Sequence, residues 1–198
     1  MHPPHTPLAP WATRRHWLRS AMAGAVGSLS LLPASSQAAL AVGAVAPAFV
    51  ADAALGGQDF RFNLAEALQK GPVVLYFYPK AFTSGCTVEA HQFAEANPQF
   101  KALGATVIGM SNDDIATLRR FSVEACRSQF AVAADPGGRI MKQYDAGLGW
   151  LPNTADRISY VISPQGKVLY VHASMDPDLH VRNMLQAVAQ WKRTQPSR

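Results

Sequence analysis

Six consecutive apolar residues, Val73-Val74-Leu75-Tyr76-Phe77-Tyr78, end at Pro79. A run this rich in β-branched and aromatic side chains reads as a central strand buried on both faces. Thr83 and Ser84 then precede Glu89 and a helix-periodic stretch, which marks a helix start. Cys86 therefore falls in or just before a first helical turn, at the end of a core strand. The first N–H groups of a helix lack internal partners and carry about half a positive charge. A thiolate is favoured there, and the thiolate is the nucleophile. A lone cysteine is otherwise a small buried hydrophobe. Polar Thr83, Ser84 and Thr87 around Cys86 argue against that plainer role.

The rest of the chain supplies a fold around this junction. Residues 49–62 hold Gly56-Gly57 between two short apolar segments and read as a peripheral β-hairpin. A short helix over 63–68 follows, with Asn63 as its N-cap and Gly71 past its end. The helix after Cys86 should run to about Leu103, with Val88, Phe93, Phe100 and Leu103 inward and Pro98 kinking or interrupting it. Residues 105–110 form the next strand. Strand, long helix and strand imply a parallel, right-handed crossover. Asp113 or Asp114 caps a helix that carries Ile115, Leu118, Phe121 and Ala125, with Cys126 near its end. A strand over 130–133, a short helix near 140–144 and a loop holding Trp150 come next. Ser163-Pro164-Gln165-Gly166 turns between strands 157–162 and 167–171. Asp176-Pro177 starts the last helix, whose inner stripe is Val181, Met184, Leu185, Val188 and Trp191. This order predicts an α/β, thioredoxin-like three-layer fold: a central mixed β-sheet flanked by helices, with an N-terminal β-hairpin.

Length and charge divide the chain in two. Residues 1–38 contain Arg14, Arg15 and Arg19 and no acid. Thr13-Arg14-Arg15-His16-Trp17-Leu18-Arg19 resembles a twin-arginine export motif. An uncharged small and apolar stretch follows, too short to span a bilayer, and Ser36-Gln37-Ala38 offers a cleavage site. The expectation is a signal peptide over 1–38, removed on export to a bacterial periplasm, and one domain over 39–198. Without the leader, 15 basic residues face 13 acidic ones. The net charge of +5 thus gives no support for a nucleic-acid partner or, after signal removal, a membrane. The periplasm is oxidising, so the two cysteines, Cys86 and Cys126, allow one disulfide without requiring it. The chain contains no Cys-x-x-Cys.

At the strand-to-helix junction the sequence resembles the peroxiredoxins. Pro79, Thr83 and Cys86 match that family's Pro-x-x-x-Thr-x-x-Cys pattern, and Phe77-Tyr78-Pro79 is a typical lead-in. Cys86-Thr87-Val88-Glu89 is similar to the branch called bacterioferritin comigratory protein, or Q-type. The resemblance spans roughly residues 42–191. It implies a thiol peroxidase in which Cys86 attacks a hydroperoxide and becomes a sulfenic acid. It also implies that Arg157, just before an apolar strand, holds both the thiolate and the peroxide. Thr83 either offers its hydroxyl to the peroxide or caps the helix. Pro79 shields the thiol or simply ends the strand, and Glu89 pairs with a nearby cation or favours the helix dipole. Neither cofactor nor metal is expected. Cys86 and His91, five apart, splay around the helix, and His172 and His180 read as surface residues.

Two positions depart from the family pattern. Ser84 replaces a common proline, and His91 stands where many Q-type members carry a resolving cysteine. That leaves Cys126, 40 positions after Cys86, as the candidate resolving residue. The implied partners are a hydroperoxide and a thioredoxin-like or other thiol reductant, and the implied state is a monomer. Two alternatives stay open. One is a one-Cys peroxidase that uses an external thiol. The other is a non-catalytic thioredoxin-fold binding module stapled by a Cys86–Cys126 disulfide.

Overall fold

The computed structural model describes residues 39–196; the expected signal peptide lies outside the described residues. In chain order the elements are β1 (Val50–Leu55), β2 (Gln58–Asn63), α1 (Leu64–Lys70), β3 (Val73–Phe77) and α2 (Ser84–Ala102). Then come β4 (Thr106–Ser111), α3 (Ile115–Glu124), β5 (Ala131–Ala134), α4 (Arg139–Gln143), β6 (Ile158–Ile162) and β7 (Val168–Ala173). A 3-10 turn at Pro177–Leu179 leads into α5 (His180–Arg193).

The strands form one mixed seven-stranded sheet in the order β2-β1-β5-β4-β3-β6-β7. β3, β4 and β5 are parallel, and the hairpins β1–β2 and β6–β7 pair antiparallel on either side. β3 is buried along its whole length and feeds two cores by the alternation of strand side chains. Val73, Leu75 and Phe77 pack with Leu64 and Leu68 of α1 and Ile140 and Met141 of α4. Val74, Tyr76 and Tyr78 pack with Phe93 and Phe100 of α2, Phe121 of α3 and Met184 and Val188 of α5. This is the expected three-layer α/β fold.

The differences from expectation have local causes. The β1–β2 hairpin is part of the main sheet, because β1 also pairs with β5. α2 runs through Pro98 without a break. Pro98 itself is on the exposed face of the helix. Val88 is 44% exposed and does not join the inner face of α2. Asp114 caps α3 by accepting from the Thr117 N–H at 2.9 Å, which frees Asp113 for another task.

The register of two strands brings the site together. In the antiparallel β3–β6 pair, Phe77 lies opposite Ile158. The end of β3, where the chain turns toward Cys86, therefore adjoins the start of β6, where Arg157 sits.

Candidate active site

Cys86 is the third residue of α2, so its own N–H and those of Ser84 and Gly85 have no partner within the helix. Thr83 occupies the N-cap position but makes no capping bond. Its hydroxyl instead donates to the Lys80 carbonyl at 3.0 Å. The free N–H groups and the positive end of the helix are thus left for an anion at Cys86 or beside it.

The loop from Pro79 to Thr83 is fixed from below by Asp113. This buried carboxylate accepts from the Ala81 N–H at 2.8 Å, the Lys80 ammonium at 3.0 Å and the Ser111 hydroxyl at 2.9 Å. The loop's geometry is costly, since Phe82 adopts a positive φ of 63° that an aromatic residue rarely takes. Phe82 packs edge-on against Phe121, and the Arg120 guanidinium lies over its ring.

Arg157 meets Cys86 directly. Its Nη2 stands 3.4 Å from Cys86 Sγ, its Nη1 is paired with Glu89 Oε2, and its Nε donates to the Met175 carbonyl at 3.0 Å. The guanidinium is nearly all buried, as are Cys86 and Glu89. Gly85 makes this possible: a Cβ at that position would meet Arg157 Nη2 at 3.1 Å. A cysteine sulfur, a fixed cation and unpaired backbone donors therefore converge at one helix end. Such an arrangement stabilises a thiolate and, equally, negative charge developing on an oxygen beside it.

The AhpC/TSA family matches residues 42–171, well over half of the chain. The chain belongs to that family. Among curated relatives, it is 31% identical over 147 residues to a chloroplastic peroxiredoxin Q of Triticum aestivum, covering 74% of this chain. A chloroplastic peroxiredoxin Q of Oryza sativa subsp. japonica is 32% identical over 145 residues. The chain spans 65% and 64% of those two relatives' lengths. Among solved structures, peroxidoxin BcpB from Mycobacterium tuberculosis is similar at 29% identity and a TM-score of 0.67, covering 75% of this chain and 96% of that one. Xanthomonas campestris peroxiredoxin Q shares the fold at a TM-score of 0.62.

Within this AhpC/TSA member the expected residues divide into two sets. Cys86, Glu89 and Arg157 meet directly, and Glu89's cation is Arg157. Pro79 is half-buried at the end of β3. Cys126 lies two residues beyond α3, wholly buried in the same core layer as Cys86. Both cysteines are free thiols. Burial pushes the Cys126 thiol far above its ordinary pKa. Its N–H bonds to the Phe121 carbonyl at 3.0 Å, and the next two residues, Arg127 and Ser128, both hold positive φ, 49° and 55°. Two successive non-glycine residues in that region store backbone strain.

One expectation is overturned. His180 is not a surface residue but fully buried, within reach of Ser159, Ser174 and Glu89. His172 is half-buried beside it, with ring centroids 4.6 Å apart. The missed signal was periodicity: His180, Met184 and Val188 fall at four-residue spacing on one inward face of α5. Ser159, a polar residue in the fully buried strand β6, was a second sign that a polar partner was needed.

Proposed function

We propose that the protein is a thiol peroxidase that reduces hydrogen peroxide and organic hydroperoxides. The observation that carries this reading is the Arg157 guanidinium held 3.4 Å from Cys86 Sγ at an uncapped helix N-terminus. The Cys86 thiolate attacks the nearer peroxide oxygen, a sulfur–oxygen bond forms and the O–O bond breaks. The departing hydroxide or alkoxide is stabilised by Arg157 and the first-turn N–H groups. It takes up a proton and leaves as water or alcohol, and Cys86 becomes a sulfenic acid.

Resolution is assigned to Cys126. Its thiol displaces water from the sulfenic acid to give a Cys86–Cys126 disulfide. A buried thiol held fully protonated is a poor nucleophile. Attack therefore follows opening of the strained segment after α3 and unwinding of the first turn of α2. A thioredoxin-like dithiol then reduces the disulfide. Similarity to chains named peroxiredoxin Q supports the thiol-peroxidase reading. We read residues 1–38 as a twin-arginine leader that sends the mature protein, as a monomer, to the periplasm; the Arg14-Arg15 pair and the uncharged stretch after it support the export part of this reading.

The test is titration of reduced protein with hydrogen peroxide, followed by mass measurement of wild type and Cys126→Ser. Wild type should lose two hydrogens through an internal disulfide, and the variant should gain one oxygen at Cys86. A wild-type protein that also stops at the one-oxygen adduct uses an external thiol instead. Absence of any peroxide consumption favours the non-catalytic binding module.

A further inference from the structure

Glu89 spends Oε2 on Arg157, and its other oxygen, Oε1, is buried with no hydrogen-bond partner. His180 Nδ1 stands 3.6 Å from that oxygen. Neither side chain is exposed to water. The tautomer of His180 follows from its second nitrogen. Nε2 lies 2.9 Å from the Ser174 carbonyl, which can only accept, so Nε2 carries a hydrogen. In the neutral ring Nδ1 is then a lone pair, to which the Ser159 hydroxyl donates at 2.7 Å. An ionised Glu89 would leave a charged Oε1 with no hydrogen-bond donor in a site that excludes water, 3.6 Å from a nitrogen whose lone pair Ser159 already fills. That charge is unfavourable unless the pair carries a proton.

We propose that His180 is a positioning residue for peroxide reduction: with Glu89 it carries one proton, on Oε1 or on Nδ1, at neutral pH. The pair is then uncharged, and Arg157 keeps its charge for Cys86 and the departing oxygen. In its consequence for rate this rests on the peroxidase reading above. The surrounding groups fit. Glu89 faces Arg157 from the start of β6, which also reaches Cys86, and Tyr76 from β3. His180 faces His172 from β7, Arg157, and Asp176 from the turn before α5. Asp178 of that turn is engaged with Gln92. Burial raises the Glu89 carboxyl to about 8, against the pull of Arg157, and lowers His180 to about 4. One proton thus remains on the pair across neutral pH.

Above about pH 8 that proton leaves, the pair becomes an anion, and Glu89 competes with Cys86 for Arg157. The peroxide-reduction rate should fall there, approaching about tenfold per pH unit if the ionised form is inactive. Glu89→Gln cannot ionise and should show no such alkaline fall up to pH 9.5. His180→Phe keeps a ring but removes the Nδ1 acceptor whose repulsion of an ionised Oε1 keeps the proton on the pair. Its alkaline fall should begin at least one pH unit lower. A direct measurement needs no variant: NMR titration of the Glu89 side-chain carboxyl carbon and the His180 ring nitrogens. The pair should carry one proton from pH 6 to 7.5, on either partner, and lose it near pH 8. An ionised Glu89 beside a neutral His180 at pH 7 overturns the proposal. So does an alkaline fall that persists in Glu89→Gln, or one that His180→Phe leaves in place. If no peroxide is reduced at any pH, the peroxidase reading fails, while the NMR titration still decides the shared proton.

Discussion

Replacing Arg157 by methionine keeps most of the side chain's stem and removes the guanidinium. Three contacts go with it: to Cys86 Sγ at 3.4 Å, to Glu89, and to the Met175 carbonyl at 3.0 Å. Any loss of thiolate at Cys86 is offset in part, because a more basic thiolate is also a better nucleophile, with a Brønsted slope of ~0.4–0.5. Loss of a preorganised donor to the departing oxygen costs much more, about a hundred- to a thousandfold, or ~3–4 kcal/mol. Stopped-flow measurement of the second-order rate constant for hydrogen peroxide, beside the ultraviolet absorbance of the thiolate, separates the two effects. The rate should fall at least ~30-fold more than thiolate fraction and nucleophilicity explain. A loss fully accounted for by thiolate content would refute the claim that Arg157 acts on the leaving oxygen. Stability should suffer less than the ~3–5 kcal/mol usual when half of a buried ion pair is removed. Glu89, already raised to about 8, stays protonated at pH 7, so the deficit should grow only as pH rises further.

Other outcomes follow from single contacts. Gly85→Ala should slow peroxide reduction without loss of stability. Its methyl group crowds Arg157 Nη2 at 3.1 Å while alanine favours the helix, and rate and melting temperature checked together show this. Tyr76→Phe should be neutral or stabilising by about 1 kcal/mol in denaturant unfolding, because the Tyr76 hydroxyl is buried without a partner. Global stability should also report the Glu89–His180 pair. Glu89's raised pKa makes stability fall as pH climbs from 4.5 to about 8, and His180's lowered pKa makes it fall as pH drops from 6.5 to about 4. The opposing slopes cancel between 4.5 and 6.5, and from 6.5 to 8 Glu89 alone removes about 2 kcal/mol. Denaturant unfolding at each pH, compared with Glu89→Gln, isolates that slope.

What the sequence revealed depended on how local the cause was. The β3–Pro79–Cys86 junction is written in one stretch, so strand, turn and helix start were all legible there. So were the Asn63 cap of α1 and the inner stripe of α5. The approach of Arg157 to Cys86 was not, because it depends on Phe77 pairing with Ile158 across strands 81 positions apart. Motif resemblance supplied Arg157; nothing in its own neighbourhood did. Pro98 suggested a kink or break, but α2 continues through it with Pro98 on the exposed face. His180 misled because it was weighed only as a metal ligand, and not as a member of the buried four-residue repeat with Met184 and Val188.

The whole functional reading turns on which atom meets the peroxide. One equivalent of hydrogen peroxide, mixed with reduced Cys126→Ser in the presence of dimedone, should mark Cys86 as a sulfenic acid in an amount matching the peroxide lost. Cys86→Ser should consume none. Peroxide loss that survives in Cys86→Ser, or peroxide loss in Cys126→Ser without a label on Cys86, would contradict it.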